Sequence, residues 1–146
     1  MRFMLLVIPK GYEKATADFV PPADLVAKMT KYNESLSKAG VLLGLEGLHP
    51  PAKGTRVKFT AGKSTATDGP FAEAKELVGG YWMIQVKSKE EAIAWAKRVP
   101  FDRLPRSGRA PEIELRQMFE ITDFPDVPPE VAKMEETFKA GRGGNS

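Results

Sequence analysis

The chain has 146 residues, the length of one ordinary domain, which excludes a multi-domain machine and leaves enough chain to bury a core. Hydrophobic residues make up 42% and charged residues 28%, the balance of a folded globular protein rather than a disordered one. Lys and Arg exceed Asp and Glu by only three, and the signs are interspersed, as in Lys87, Lys89, Glu90 and Glu91, so no nucleic-acid track is expected. With no cysteine, a disulfide scaffold, a thiolate zinc site and a thiol nucleophile are excluded, and a reducing cytoplasm is the expected location.

The first predicted strand is Arg2 to Ile8. Phe3, Leu5 and Val7 alternate with Met4, Leu6 and Ile8, so both faces are apolar and both need cover. The run is too short for a membrane span or a signal peptide. After a loop with Pro21 and Pro22, Leu25, Met29, Tyr32 and Leu36 fall at spacings of four, three and four. That spacing predicts a helix over 23–39, capped by Gly40. Val41 to Leu48 reads as a second strand, weak at Gly44 and Gly47 and stopped by Pro50 and Pro51.

Thr55 to Thr60 and Ser64 to Thr67 are expected to form a hairpin around Ala61, Gly62 and Lys63. Asp68-Gly69-Pro70 breaks it, and a loop or short helical turn over 71–78 leads to Gly79 and Gly80. Tyr81 to Val86 is a strand, again apolar on both faces. Ser88 and Glu91 have capping-box spacing and open a helix to Val99 that buries Ala92, Ile93, Ala96 and Val99. Glu112 to Phe119 is the last strand, with Ile113, Leu115 and Phe119 on one face and Glu112, Glu114 and Arg116 on the other. A short helix over 128–139 carries Val131, Met134 and Phe138 on one side, and 141–146 should fray.

This order predicts an α+β fold: a ferredoxin-like split β-α-β with an inserted β-hairpin over 1–120, followed by a C-terminal extension, 121–146, with its short helix. In that topology the first and third main strands lie centrally, which fits the two segments that are apolar on both faces. Two helices cover only one side of the sheet. The other side still presents Tyr81, Met83 and residues of the first strand, so a second copy is the expected cover, as a face-to-face homodimer with clefts between the sheets.

His49 is the only histidine. Strand directions bring it and Asp68 to one edge, where a carboxylate would orient an imidazole that moves protons near neutral pH. Phe71 and Tyr81 could wall such a site. A solvated loop histidine and an Asx-turn at Asp68 are the plainer readings. One histidine and no spaced acidic set make a metal site unexpected. Gly79-Gly80 opens a strand rather than a helix, so it is no phosphate loop.

Asp68-Gly69-Pro70-Phe71-Ala72-Glu73, continued by Lys75-Glu76 and Gly79-Gly80-Tyr81, resembles the YCII-related family in its DGPF-domain branch. Arg2-Phe3-Met4-Leu5-Leu6, Glu46-Gly47-Leu48 and the passage from Tyr81 to Val99 match the same pattern, over roughly residues 1–120. The resemblance implies a dimeric α/β-barrel fold, a bacterial cytoplasmic protein and an Asp–His site, with Asp68 as the firmer match and His49 the less firm.

Two functions are expected from these readings. The first is a cofactor-independent lyase or isomerase on a small cyclic or acidic molecule. Asp68 and His49 are its proton shuttle, with Glu46, Phe71, Tyr81 and Met83 at the substrate and Lys75 or Arg2 on its carboxylate. The second is a non-catalytic module that binds a small molecule or a partner, which the resemblance links to sigma-factor or stress regulation. Neither reading calls for a metal, a cofactor, nucleic acid or a membrane.

Overall fold

Arg2–Ile8 forms β1 and Gly80–Gln85 forms β5, the two segments apolar on both faces, and they lie side by side at the centre of one antiparallel sheet. The structure is a computed structural model that describes residues 1–71, 77–101 and 110–142. The remaining elements are α1 (Ala23–Lys38), β2 (Leu42–Gly47), β3 (Thr55–Thr60), β4 (Lys63–Asp68), α2 (Lys89–Lys97), β6 (Glu112–Gln117) and α3 (Pro129–Arg142). The main sheet has the order β2-β5-β1-β6, the split β-α-β arrangement, and the described residues leave it open rather than closed into a barrel.

Side-chain alternation divides the sheet. Phe3, Leu5, Trp82 and Ile84 point to the helical side, where they meet Tyr32 and Leu36 of α1, Ala92 of α2, and Val41, Val86 and Val99. Burial of each large apolar side chain there contributes about 1.5–3 kcal/mol. Along α1 burial falls toward the N-terminus: Leu36 and Tyr32 are buried, while Met29 and Leu25 are half-buried. The far end of that helix is therefore only loosely covered, and a cleft opens there.

Tyr32 joins the two helical segments. Its hydroxyl donates to the Trp95 carbonyl at 2.8 Å, and burial pushes its pKa up to about 12, slightly opposed by Arg98. The phenol is neutral when folded but ionises near 10 when unfolded. Stability tied to it is full below pH 10 and is lost as pH rises toward 12, by roughly 2–3 kcal/mol. Urea melts at pH 8 to 11.5 are expected to show this loss in the wild type, and a shallower loss in Tyr32→Phe. Equal slopes would contradict it. At pH 8 the Phe variant loses about 1 kcal/mol because the Trp95 carbonyl goes unpaired.

Several element ends differ from the sequence expectation. β2 is shorter and bulges at Leu43, where the register against β5 shifts. The hairpin turn is only Ala61-Gly62, both at positive φ (50° and 78°), so Lys63 and Asp68 join β4. β3 and β4 pair only with each other, in a second sheet. Ser88 Oγ accepts from the Glu91 N–H at 3.1 Å, but the Glu91 carboxylate returns to the Lys87 N–H at 3.0 Å rather than to residue 88.

α2 ends at Lys97, and Ile93, expected inside, lies exposed on its flank while Trp95 is half-buried. β6 ends at Gln117: Met118 N–H still bonds the Arg2 carbonyl, but Met1, next in the register, exchanges both of its backbone bonds with Val86 instead. Phe119 is exposed and rests on Phe124, with ring centroids 5.0 Å apart. Of the segment 71–78, residues 72–76, and of the expected frayed end, residues 143–146, lie outside the described residues. Among the described residues no helix is long and apolar enough to cross a membrane.

Candidate functional site

The loop between β1 and α1 is rich in rings: Pro9, Tyr12, Phe19, Pro21 and Pro22. Rings lose little entropy on ordering and cover much area. A 3-10 turn at Tyr12–Lys14 folds this loop back, and the Tyr12 hydroxyl donates to the Leu48 carbonyl at 2.5 Å. Phe19 packs edge-on against Tyr12, centroids 5.6 Å apart. The loop thereby forms one wall of a cleft of about 400 Å³.

The second wall is the loosely covered half of α1, through Leu25, Val26 and Met29. Val7, Leu45 and Trp82 supply the sheet side, and Phe101 and Pro111 flank the opening. Trp82 is fixed in place, its indole N–H donating to Asn33 Oδ1 at 2.6 Å and its ring edge-on to Tyr32. Gly79 and Gly80 pack tightly at the end of the cleft. A Cβ on Gly79 would lie 2.9 Å from Pro9 Cγ, and one on Gly80 2.9 Å from the Glu46 carbonyl oxygen. The lining is overwhelmingly apolar, and the volume falls in the range of about 300–1,000 Å³ typical of small-molecule sites.

The residues singled out in the sequence fall into three groups. Glu46, Tyr81, Met83 and Arg2 share the sheet face opposite the helices. Register sets Glu46 beside Tyr81, Tyr81 beside Leu6 and Leu6 beside Glu114 in one row, with Met83, Met4 and Arg116 in the next. Glu46 and Tyr81 also line the end of the cleft. Arg2 is engaged: its guanidinium grips Glu120 through two bonds of 2.8 and 3.0 Å and donates to the Phe119 carbonyl at 3.1 Å. The hydrogen bond to Glu120 raises the Arg2 pKa and lowers that of the Glu120 carboxyl.

The second group is the base of the hairpin. Asp68 Oδ1 accepts from the Thr55 hydroxyl at 2.7 Å, and Gly69 N–H donates to the Gly54 carbonyl at 2.8 Å. The Phe71 ring lies near Gly54 and Gly69 and under the Arg56 guanidinium, 4.1 Å from the ring centre. The Asp-Gly-Pro-Phe run thus ties the hairpin to the turn at Pro51–Lys53. Third, His49 is exposed after the end of β2, before the buried Pro50. Among the described residues no hydrogen bond or ion pair joins it to Asp68, which sits at the end of the separate hairpin sheet. Lys75 lies outside the described residues.

Residues 1–116 match the YCII-related domain. The chain belongs to the YCII-related family. The YCII-related match runs from β1 into β6 and therefore takes in the hairpin, the Asp68 segment and most of the cleft, while α3 lies beyond it. An uncharacterised protein of Rhizobium meliloti (strain 1021) is 36% identical over 74 residues, which is 51% of this chain and 56% of that one. The chain thus spans a little over half the length of that relative.

In this YCII-related chain no contiguous motif marks the cleft. Its signal in the sequence is the cluster of aromatic and proline residues at 9–22, whose local pattern is that of a loop. Its other wall comes from positions 25 and 29 of a helix face that reads as core.

Proposed function

We propose that this protein binds a compact, largely apolar, ring-bearing small molecule in the cleft between α1 and the loop at 9–22. The observation that carries the reading is the cleft itself, with Tyr12, Phe19, Trp82 and Phe101 in an apolar lining. Aromatic walls favour flat ligands through stacked and edge-on contacts. We read the chain as a cytoplasmic member of the DGPF branch, on the strength of Asp68-Gly69-Pro70-Phe71, that works as a homodimer joined through the open sheet face. Met4, Leu6, Tyr81 and Met83 are half-buried on that face in the single protomer, and a second copy would complete their burial.

A lyase or isomerase run by Asp68 and His49 ranks second. The Asp68 carboxylate accepts from Thr55, and among the described residues no hydrogen bond or ion pair orients His49.

An uncharged fluorescent probe, N-phenyl-1-naphthylamine, tests the first reading by titration. Saturable binding at one site per chain is expected. Leu25→Asp puts a charge on the cleft wall and should weaken it about tenfold or more. Asp68→Asn and His49→Ala should leave it unchanged. Binding that does not saturate, or that ignores Leu25→Asp, would overturn the assignment.

A further inference from the structure

The cleft between α1 and the loop at 9–22 holds few polar side chains, and most of their hydrogens are already committed. The Tyr12 hydroxyl donates to the Leu48 carbonyl at 2.5 Å, and the Thr30 hydroxyl to the Val26 carbonyl at 2.8 Å. The Trp82 indole N–H donates to Asn33 Oδ1 at 2.6 Å. What remains is the amide nitrogen of Asn33, which also lines the cleft.

An indole N–H can only donate, so the amide atom that faces it must be the oxygen. The bond therefore fixes which end of the Asn33 side chain is which. The NH2 group, with two hydrogens, turns away from the indole nitrogen. Among the described residues no group accepts from it. Nor is any side-chain nitrogen or oxygen buried there without a partner, so this NH2 is open rather than enclosed. Asn33 as a whole is half-buried, and the cleft is the cavity it borders.

Charge is missing from the same space. Glu46 is the one charged residue among the described ones that line it. Register pairs Glu46 with Tyr81, while Leu45 pairs with Trp82 of the core. Alternation then sends the Glu46 side chain to the far face of the sheet. An ionised ligand would enter an apolar cleft with no counter-charge, at a large cost in desolvation. A neutral acceptor meets no such penalty, and it finds a donor already held in place.

We propose that the cleft selects an uncharged ring that carries a carbonyl group, and that the Asn33 NH2 donates to that carbonyl oxygen. This rests on the cleft reading above and adds to it the ligand's polar handle. Trp82 has two tasks here: its ring forms part of the wall, and its N–H orients the Asn33 amide. The hydroxyls of Tyr12 and Thr30 keep only lone pairs to offer, so they cannot replace Asn33 as the donor.

Competition against N-phenyl-1-naphthylamine tests this with 1-tetralone and tetralin, the same fused ring with and without a carbonyl oxygen. Asn33→Asp keeps an oxygen for the Trp82 N–H and removes both donors. It should weaken 1-tetralone at least about fivefold more than tetralin. In the wild type, 1-naphthoate, a similar ring bearing a carboxylate, should compete less well than 1-tetralone. A second measurement needs no variant. The Asn33 side-chain amide protons, assigned by NMR through their contact with the Trp82 indole N–H, should move further downfield with 1-tetralone than with tetralin. Equal losses for both competitors in Asn33→Asp, or equal amide shifts in the wild type, would overturn the role of Asn33 while the cleft reading stands. Tighter binding of 1-naphthoate than of 1-tetralone would overturn the selection of an uncharged ligand. Probe binding that does not saturate, or that ignores Leu25→Asp, would overturn the cleft reading and this inference with it.

Discussion

Gly69→Ala is expected to release the base of the β3–β4 hairpin. A Cβ at this position would lie 1.9 Å from the Pro51 carbonyl oxygen and 2.9 Å from its carbon, and 3.3 Å from the Phe71 ring. Both first contacts are backbone, so no flexible side chain can yield. The hairpin must move away from the turn at Pro51–Lys53, which breaks the Gly69–Gly54 hydrogen bond and disturbs the Phe71 seat under Arg56. The cost is about 2–4 kcal/mol, within the range of severe packing and backbone substitutions.

A two-stranded hairpin is marginal in water by itself, and every residue of β3 and β4 is exposed in the protomer. The loss should therefore be local. Hydrogen exchange is expected to show faster exchange at the β3–β4 amides and unchanged protection at Leu5 and Ile84 in the main sheet. Gly62→Ala gives a contrast: space is open there, and only the positive φ of the turn opposes a side chain, at about 1 kcal/mol. Equal protection of the hairpin in Gly69→Ala and wild type would show that the close approach does not hold it.

Trp82→Ala is expected to cost about 3–5 kcal/mol, the range for removing a large buried aromatic. The indole is 6% exposed, packs edge-on to Tyr32 at 5.2 Å and bonds Asn33. It also separates the core from the cleft, so its loss merges the cleft with a new cavity beside Tyr32 and Leu45. Against a domain stability of about 5–15 kcal/mol, that is a large fraction. Trp82→Phe keeps a ring in the core and gives up the hydrogen bond, for about 1 kcal/mol. Urea unfolding followed by circular dichroism separates the two, and an alanine variant no weaker than the phenylalanine one would contradict this placement. In the same pair, probe affinity for the cleft should fall more in the alanine variant, because only there is the wall itself missing.

Both predictions turn on features that a one-dimensional pattern carries unequally. Residues 2–8 and 81–86 are apolar on both faces, and such strands need neighbours and cover on every side. Their central place in the order β2-β5-β1-β6 follows from that alone. The helix at 23–38 and the hairpin around Gly62 were equally legible, because spacing and turn chemistry are local.

Ends of elements were less so. β6 stops at Gln117 because Met1, next in the β1 register, bonds Val86 instead, which is a fact about a different strand. Ile93 lies outside because the short α2 settles on Ala92 and Ala96. His49 and Asp68 could be brought toward one edge on paper, but the hairpin leaves the main sheet, and Asp68 finds Thr55 at the foot of its own hairpin.

The sequence by itself determined the α+β class, the two central strands, the turn after the hairpin at 68–70 and the stripe of α3. These are periodic or contiguous signals, carried by neighbours in the chain. Tertiary structure alone decided the rest. The cleft exists because a ring-rich loop closes over the half of α1 that Leu36 and Tyr32 do not hold down. α3 keeps Ala132, Glu135 and Lys139 half-buried and leaves Val131, Met134 and Phe138 exposed, a choice that no local pattern makes. Periodicity states which side of a helix is apolar. Only the contacts of its polar side state where that apolar side points.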